Sequence, residues 1–221
     1  MKRYFSQAII LGIIIVLGLY YFFPKKKGTI IILNGSSGIG KSKIQKELQD
    51  ILPEPYLSLG IKKLFFGAIP EKYLKTKKEL IEGTLYLKPK PLYKLNFKKE
   101  SFRVISAMHK TIAVYAKEGN NIIVDYVLYE KHWLKSLMNE LKDFNVYFVG
   151  ITMPLEILEK NERENDLMQI GHARSYYDTV HFHGTYDIEL DMQSLSPKTA
   201  AEKIYSYLQK HPKPLAFEKL T

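Results

Sequence analysis

The chain has 221 residues, a formal net charge of +10, 46% hydrophobic residues and no cysteine. That length gives one domain of ordinary size with residues to spare, and the apolar content excludes wholesale disorder. The missing thiols exclude a disulfide framework, thiol catalysis, iron–sulfur clusters and cysteine-ligated zinc.

Charge is unevenly spread. Residues 1–27 carry Lys2, Arg3, Lys25, Lys26 and Lys27 and no acid, and residues 62–99 carry eleven lysines against Glu71, Glu79 and Glu82. The remainder is slightly acidic. In chain order, the first feature is residues 4–24, which hold no charged side chain. A helix of about 20 residues covers a hydrocarbon core of roughly 30 Å. Tyr20, Tyr21, Phe22 and Phe23, followed by Lys25–Lys27, suit an interfacial belt and its basic anchor. Residues 1–27 therefore read as an N-terminal transmembrane anchor. The rivals are a buried core helix and a cleaved secretory signal, for which the run is long and no small-x-small site precedes the lysines. Basic residues at both ends leave orientation open.

Residues 28–221 read as one domain. Gly28 and then Thr29-Ile30-Ile31-Ile32-Leu33 form a short β-rich run without alternation, as in a strand buried on both faces. A helix over 41–52 has Ile44, Leu48 and Ile51 on one face and stops at Pro53. Residues 62–99, with Pro89 and Pro91 breaking regular structure, read as a basic excursion from the core. Phe102, Ile105, Ile112 and Ala116 mark a helix ended by Gly119; Ile122-Ile123-Val124 is a second buried strand. Leu134, Leu137 and Leu141 give the next helix, 146–151 a third strand, and a polar helical stretch starts at Leu155. Residues 186–190 alternate as an edge strand would. Ser196-Pro197 opens a last helix through Ala200, Ile204 and Leu208. Strands alternating with helices predict an α/β three-layer fold around a mostly parallel sheet.

The most specific segment is Gly35-Ser36-Ser37-Gly38-Ile39-Gly40-Lys41-Ser42, which satisfies G-x-x-x-x-G-K-[ST] between a buried strand and an amphipathic helix. Glycines allow consecutive N–H groups to turn inward and form an anion nest at the positive end of the helix. Lys41 is placed to bridge the β- and γ-phosphates of ATP, and the Ser42 hydroxyl to ligate Mg²⁺. A metal-orienting carboxylate belongs at the end of a neighbouring strand, and Asp125 follows Ile122-Ile123-Val124 directly.

Residues 34–42, followed by Leu52-Pro53-Glu54-Pro55-Tyr56 and Leu59-Gly60-Ile61, resemble the chloramphenicol phosphotransferase family of P-loop kinases. The similarity resumes at Val124-Asp125, Val149-Gly150, Val180-His181 and Tyr186-Asp187-Ile188-Glu189-Leu190-Asp191. It implies a kinase fold that moves the ATP γ-phosphoryl to a hydroxyl of a small molecule. Three features depart from that pattern. The family's aspartate after G-V, taken as the base for the acceptor hydroxyl, falls on Lys62, which cannot accept a proton when charged and suits an anionic acceptor. The arginine-rich lid is thinned to Asn161, Asn165, Asp166, Leu167 and Met168, leaving Arg163 and Arg174 as candidate catalytic residues. The family's soluble enzymes also need no anchor.

The expectation is a membrane-anchored phosphotransferase with its nucleotide domain in the cytoplasm, where nucleotide is plentiful; the alternative is an ATP-binding sensor or scaffold without transfer activity. His181 and His183 have a metal-compatible H-x-H spacing but no evident third ligand, and read as structural. Trp133 reads as core, and the lysines of 62–99 as a solvated surface or a site for acidic headgroups or nucleic acid, the last an unlikely partner because no nucleic-acid-binding fold signature accompanies them.

Overall fold

The structure, a computed structural model, describes residues 26–75, 79–87, 89–165 and 168–220. Residues 4–24 lie outside them. Among the described residues, no helix is long and apolar enough to cross a membrane.

The expected parallel sheet is present, with five strands: β1 (Ile30–Gly35), β2 (Tyr56–Gly60), β5 (Asn121–Tyr126), β6 (Val146–Thr152) and β7 (Ile188–Asp191). Their order across the sheet is β2-β5-β1-β6-β7, every neighbour parallel. β1 is central and wholly buried, which is why its sequence shows a continuous apolar run. Its side chains still alternate between faces. Ile30 and Ile32 join a core cluster with Ile112, Trp133 and Leu137, while Ile31 and Leu33 join another with Ile44, Leu48 and Ile204. α1 (Lys41–Ile51) and α7 (Pro197–Lys210) cover the second face; α3 (Lys99–Lys117) and α4 (Lys131–Leu141) cover the first. From β1 the chain goes to the β2 side, and from β5 it crosses to β6 on the other side. Connections therefore diverge at the C-terminal ends of the central strands, where ligands bind in open α/β sheets.

Two parts of the architecture differ from the sequence expectation. Residues 56–60 form an edge strand that the polar Ser58 and half-exposed neighbours conceal. The basic excursion is also regular over most of its length. It contains a π-helical turn (Lys62–Phe66), α2 (Glu71–Lys75) and an antiparallel hairpin of β3 (Ile81–Tyr86) and β4 (Leu92–Phe97). Pro89 and Pro91 fall in the hairpin connection, where neither removes a ladder donor. Phe65, Ile81 and Phe97 bury into the core and hold the excursion against it.

The polar helical stretch divides into α5 (Leu155–Arg163) and α6 (His172–Val180). Glu162, 2% exposed, accepts hydrogen bonds from Gly171 N at 2.9 Å and Ala173 N at 2.5 Å, capping α6 with a side chain from α5. β4 is tied to α6 through Tyr93 N, which donates to Gly171 O at 3.0 Å, and through the Tyr176 hydroxyl, which donates to Leu95 O at 3.1 Å. The chain ends its described path in α8 (Ala216–Leu220).

His109 on α3 is fully buried, with Nδ1 2.9 Å from Ser136 Oγ and Nε2 2.9 Å from Tyr126 Oη. Burial pushes its pKa down to about 4 from 6.5, and His172 and His183 fall to about 4 for the same leading cause. Between these pH values the unfolded chain binds more protons than the folded one. Stability is therefore retained above pH 6.5 and falls as pH drops toward 4, by up to about 1.4 kcal/mol per pH unit for each of the buried His109 and His172, and by less for the more exposed His183. Thermal melts across this range should show that decline, and His109→Gln should make it shallower while leaving the part due to His172 and His183.

Candidate active site

The functional loop leaves β1 at Gly35 and enters α1 at Lys41. Gly40, at the start of α1, has φ of 100°, and no side chain caps the helix. The first N–H groups of α1 are therefore available to an anion drawn by the helix dipole. Gly38 has φ of 78°, and a Cβ there would lie 2.2 Å from Met168 Cε, so the Met168 side chain rests on the loop. Ile39, 3% exposed, roots the loop in the core, Ser36 is buried and Ser37 half-buried.

Lys41 is 5% exposed. Its Nζ donates to Gly35 O and Ser36 O, each at 2.8 Å, and lies 3.6 Å from Asp125 Oδ1. Ser42 Oγ donates to Asp125 Oδ2 at 2.7 Å. Asp125, at the end of β5, is in register with Leu33 on β1 and Gly60 on β2. Burial lowers the Lys41 pKa, the Asp125 carboxylate opposes this, and the charge of Lys62 lowers it further. The Gly35–Ser42 loop and Asp125, far apart in sequence, thus meet as the motif predicts. Ser42 Oγ and Asp125 Oδ2 are adjacent hard oxygen donors. That donor set fits Mg²⁺, which takes one or two protein oxygens and completes its shell with water and phosphate.

Two supporting residues escaped the sequence reading. Gln45 Nε2 donates to Ile123 O at 2.7 Å and Leu59 O at 3.2 Å, and its Oε1 accepts from Ser58 Oγ at 2.8 Å, pinning α1 to β5 and β2. Asn34, fully buried, donates to Val180 O and Tyr186 Oη, each at 2.8 Å, and accepts from Leu128 N at 3.1 Å. It joins the strand before the loop to the segment after Asp125 and the end of α6. An asparagine ending an apolar strand immediately before Gly35 is the signal that could have revealed it. Asn34→Ala should cost about 1–3 kcal/mol in urea unfolding, because it strands buried partners.

His181 and His183 lie in the turn after α6, not on a strand. His181 Nδ1 is 2.7 Å from Tyr186 Oη, and His183 stacks on Phe148 with ring centroids 5.0 Å apart. Their contacts are structural.

Arg163 and Arg174 border another cavity, of about 240 Å³, with Lys90, Pro91, Glu159 and Gly171. Arg174 forms an ion pair with Glu159. Both arginines thus stand among residues of the hairpin connection and α5. Asp166 and Leu167 of the thinned lid lie outside the described residues.

Lys62 comes two residues after Gly60, which pairs beside Asp125. Its ammonium lies 3.5 Å from Ser42 Oγ. Tyr93, Tyr129, His172 and Tyr176 form a ring cluster, with Tyr129 and Tyr176 centroids 4.8 Å apart and Tyr129 and His172 centroids 5.5 Å apart. Asp125 helps to raise the pKa of Tyr129, after burial and Tyr176, and Lys41 helps burial to lower that of His172. Tyr129 and His172 thus feel the charges of Asp125 and Lys41.

The family model for chloramphenicol phosphotransferase-like protein matches residues 28–209. The chain belongs to the chloramphenicol phosphotransferase-like family. Two Mycobacterium tuberculosis proteins, from strains CDC 1551 and H37Rv, are each 25% identical over 207 residues, covering 88% of both chains, and are named for an inferred O-phosphotransferase activity. A sugar kinase from Janibacter has a similar fold, with a TM-score of 0.60 and 16% identity over 84% of this chain and 96% of its own. The tunicamycin resistance protein of Deinococcus radiodurans gives 0.58 and 18% identity over 82% and 96%. The APS kinase of Mycobacterium tuberculosis gives 0.54 and 13% over 83% and 98%. At these identities the structural likeness establishes a P-loop kinase-like fold for this member of the chloramphenicol phosphotransferase-like family.

Proposed function

We propose that the protein transfers the γ-phosphoryl of ATP to a hydroxyl of a small acceptor. The observation that carries this reading is the meeting of Lys41, Ser42 and Asp125 at the positive end of α1. The loop N–H groups and Lys41 bind and orient the phosphates, and Ser42 and Asp125 would hold Mg²⁺. When bound, the metal supplies charge neutralisation on the phosphate oxygens. Asp125 is also the best placed carboxylate to receive or orient the acceptor proton, since position 62 carries lysine. Incubating the full chain with γ-labelled ATP, Mg²⁺ and a small-molecule cell extract should give a labelled product. Absence of any labelled product, with ATP still bound tightly, would favour the sensor reading.

The proposal extends to location. The 4–24 stretch anchors the chain in a membrane, with the kinase domain on the cytoplasmic side. It is supported by the uncharged length of that stretch and by Lys25–Lys27 after it. Lys27, just after that stretch, is tied to the kinase-like domain through its Nζ, which donates to Asp143 O at 2.9 Å. Full-length protein should stay with membranes through carbonate extraction; a mature N-terminus near residue 24, measured by mass spectrometry, would replace the anchor with a cleaved signal.

A further inference from the structure

Lys62 stands where the family pattern has an aspartate, and its surroundings define a different task. Ile61 and Phe65, 2% and 0% exposed, fix the π-helical turn in the core, and the turn is closed by Gly67 N donating to Lys62 O at 2.8 Å. The two lysines at its start then diverge. Lys63 Nζ donates to Ser58 O at 2.9 Å and Ser58 Oγ at 2.8 Å, turned toward the edge strand. Lys62 Nζ turns inward, 3.5 Å from the Ser42 hydroxyl that itself meets Asp125. Two ammonium groups, Lys41 and Lys62, thus flank one carboxylate at the head of α1. The site carries a surplus positive charge before any metal is counted.

Phosphoryl transfer needs cationic groups around the oxygens of the moving phosphoryl. Arg163 and Arg174 border the cavity under the hairpin, and Arg174 is engaged by Glu159. Lys62 is the lysine whose position suits the missing task, and as an exposed point charge on a flexible stem it can shorten its 3.5 Å approach when an anion arrives.

We propose that Lys62 is a second phosphate-binding lysine, directed at the terminal phosphate of a bound nucleoside triphosphate. This rests on the nucleotide-binding reading above and deepens it: the side chain would distinguish triphosphate from diphosphate, and would lessen the dependence of triphosphate binding on Mg²⁺. An acceptor-binding lysine would do neither.

The test is calorimetry on full-length protein in lipid nanodiscs, titrating ATP and ADP with and without Mg²⁺. The wild type should prefer ATP. Lys62→Met should weaken ATP binding about tenfold and leave ADP binding within about twofold, the loss being larger in EDTA. Lys62→Arg should keep most of the preference, and Lys63→Met should change neither affinity. An unchanged ATP-to-ADP ratio in Lys62→Met, with both nucleotides still bound, would overturn this proposal alone. So would a change confined to the acceptor KM. A wild type that binds neither nucleotide would overturn the nucleotide reading as well. Matching melting temperatures establish that the variants are folded.

Discussion

Lys41→Ala is expected to weaken binding of ATP–Mg²⁺ by about 10–100-fold, the loss of a hydrogen-bonded cation from a phosphate site. The same ammonium holds Gly35 O and Ser36 O at 2.8 Å and offsets Asp125 at 3.6 Å. Its removal therefore also loosens the loop that presents the N–H groups. The core strands do not depend on it, because Ile30–Leu33 are held by packing on both faces. A modest fall in melting temperature should accompany the large fall in affinity. Lys41→Met, which keeps the buried stem, separates the two effects: it should recover stability but not affinity. Equal affinity of wild type and Lys41→Ala in calorimetry would remove this loop as the nucleotide site.

The sequence made the central strand, the loop and α1 legible because their signals are contiguous. An unbroken apolar run is what a strand buried on both faces requires, and the glycines and Lys41–Ser42 are fixed by local geometry. Asp125 was legible for a related reason, since a carboxylate ending a buried strand has few places to go. Other features depend on contacts between distant segments. β2 is an edge strand whose Leu57 is 36% exposed, so its pattern looks like a loop. The hairpin is defined by Ile81 and Phe97 reaching the core, which the surrounding lysines and prolines hide. The division of α5 from α6 depends on Glu162 reaching the N-terminus of α6. Arg174 is absorbed by Glu159, on another helix, and no local pattern announces that pairing. The inward turn of Lys62 likewise follows from a π-helical path that spacing alone does not specify.

Asp125→Asn is expected to lower turnover by about 10²–10³-fold while leaving nucleotide affinity within severalfold. The amide has nearly the same shape, so an oxygen can still accept from Ser42 Oγ, now at 2.7 Å from the carboxylate. What disappears is the negative charge. That charge faces Lys41 at 3.6 Å, would complete the oxygen pair for Mg²⁺, and on the proposed function would receive the acceptor hydroxyl proton. Nucleotide binding draws chiefly on the loop N–H groups and the lysines, which an amide leaves in place; less neutralisation of Lys41 even favours an anion. Transfer depends on the missing charge, because the metal is held less well and the acceptor hydroxyl is no longer oriented by an anion. Single-turnover reactions with γ-labelled ATP, run beside calorimetry, separate these effects. If Asp125→Asn turns over at the wild-type rate, Asp125 neither holds the metal nor serves the acceptor, and the carboxylate must be sought elsewhere. If transfer collapses while ATP still binds, the pairing of Asp125 with Ser42 is the chemical centre, and a lysine at position 62 is compatible with transfer.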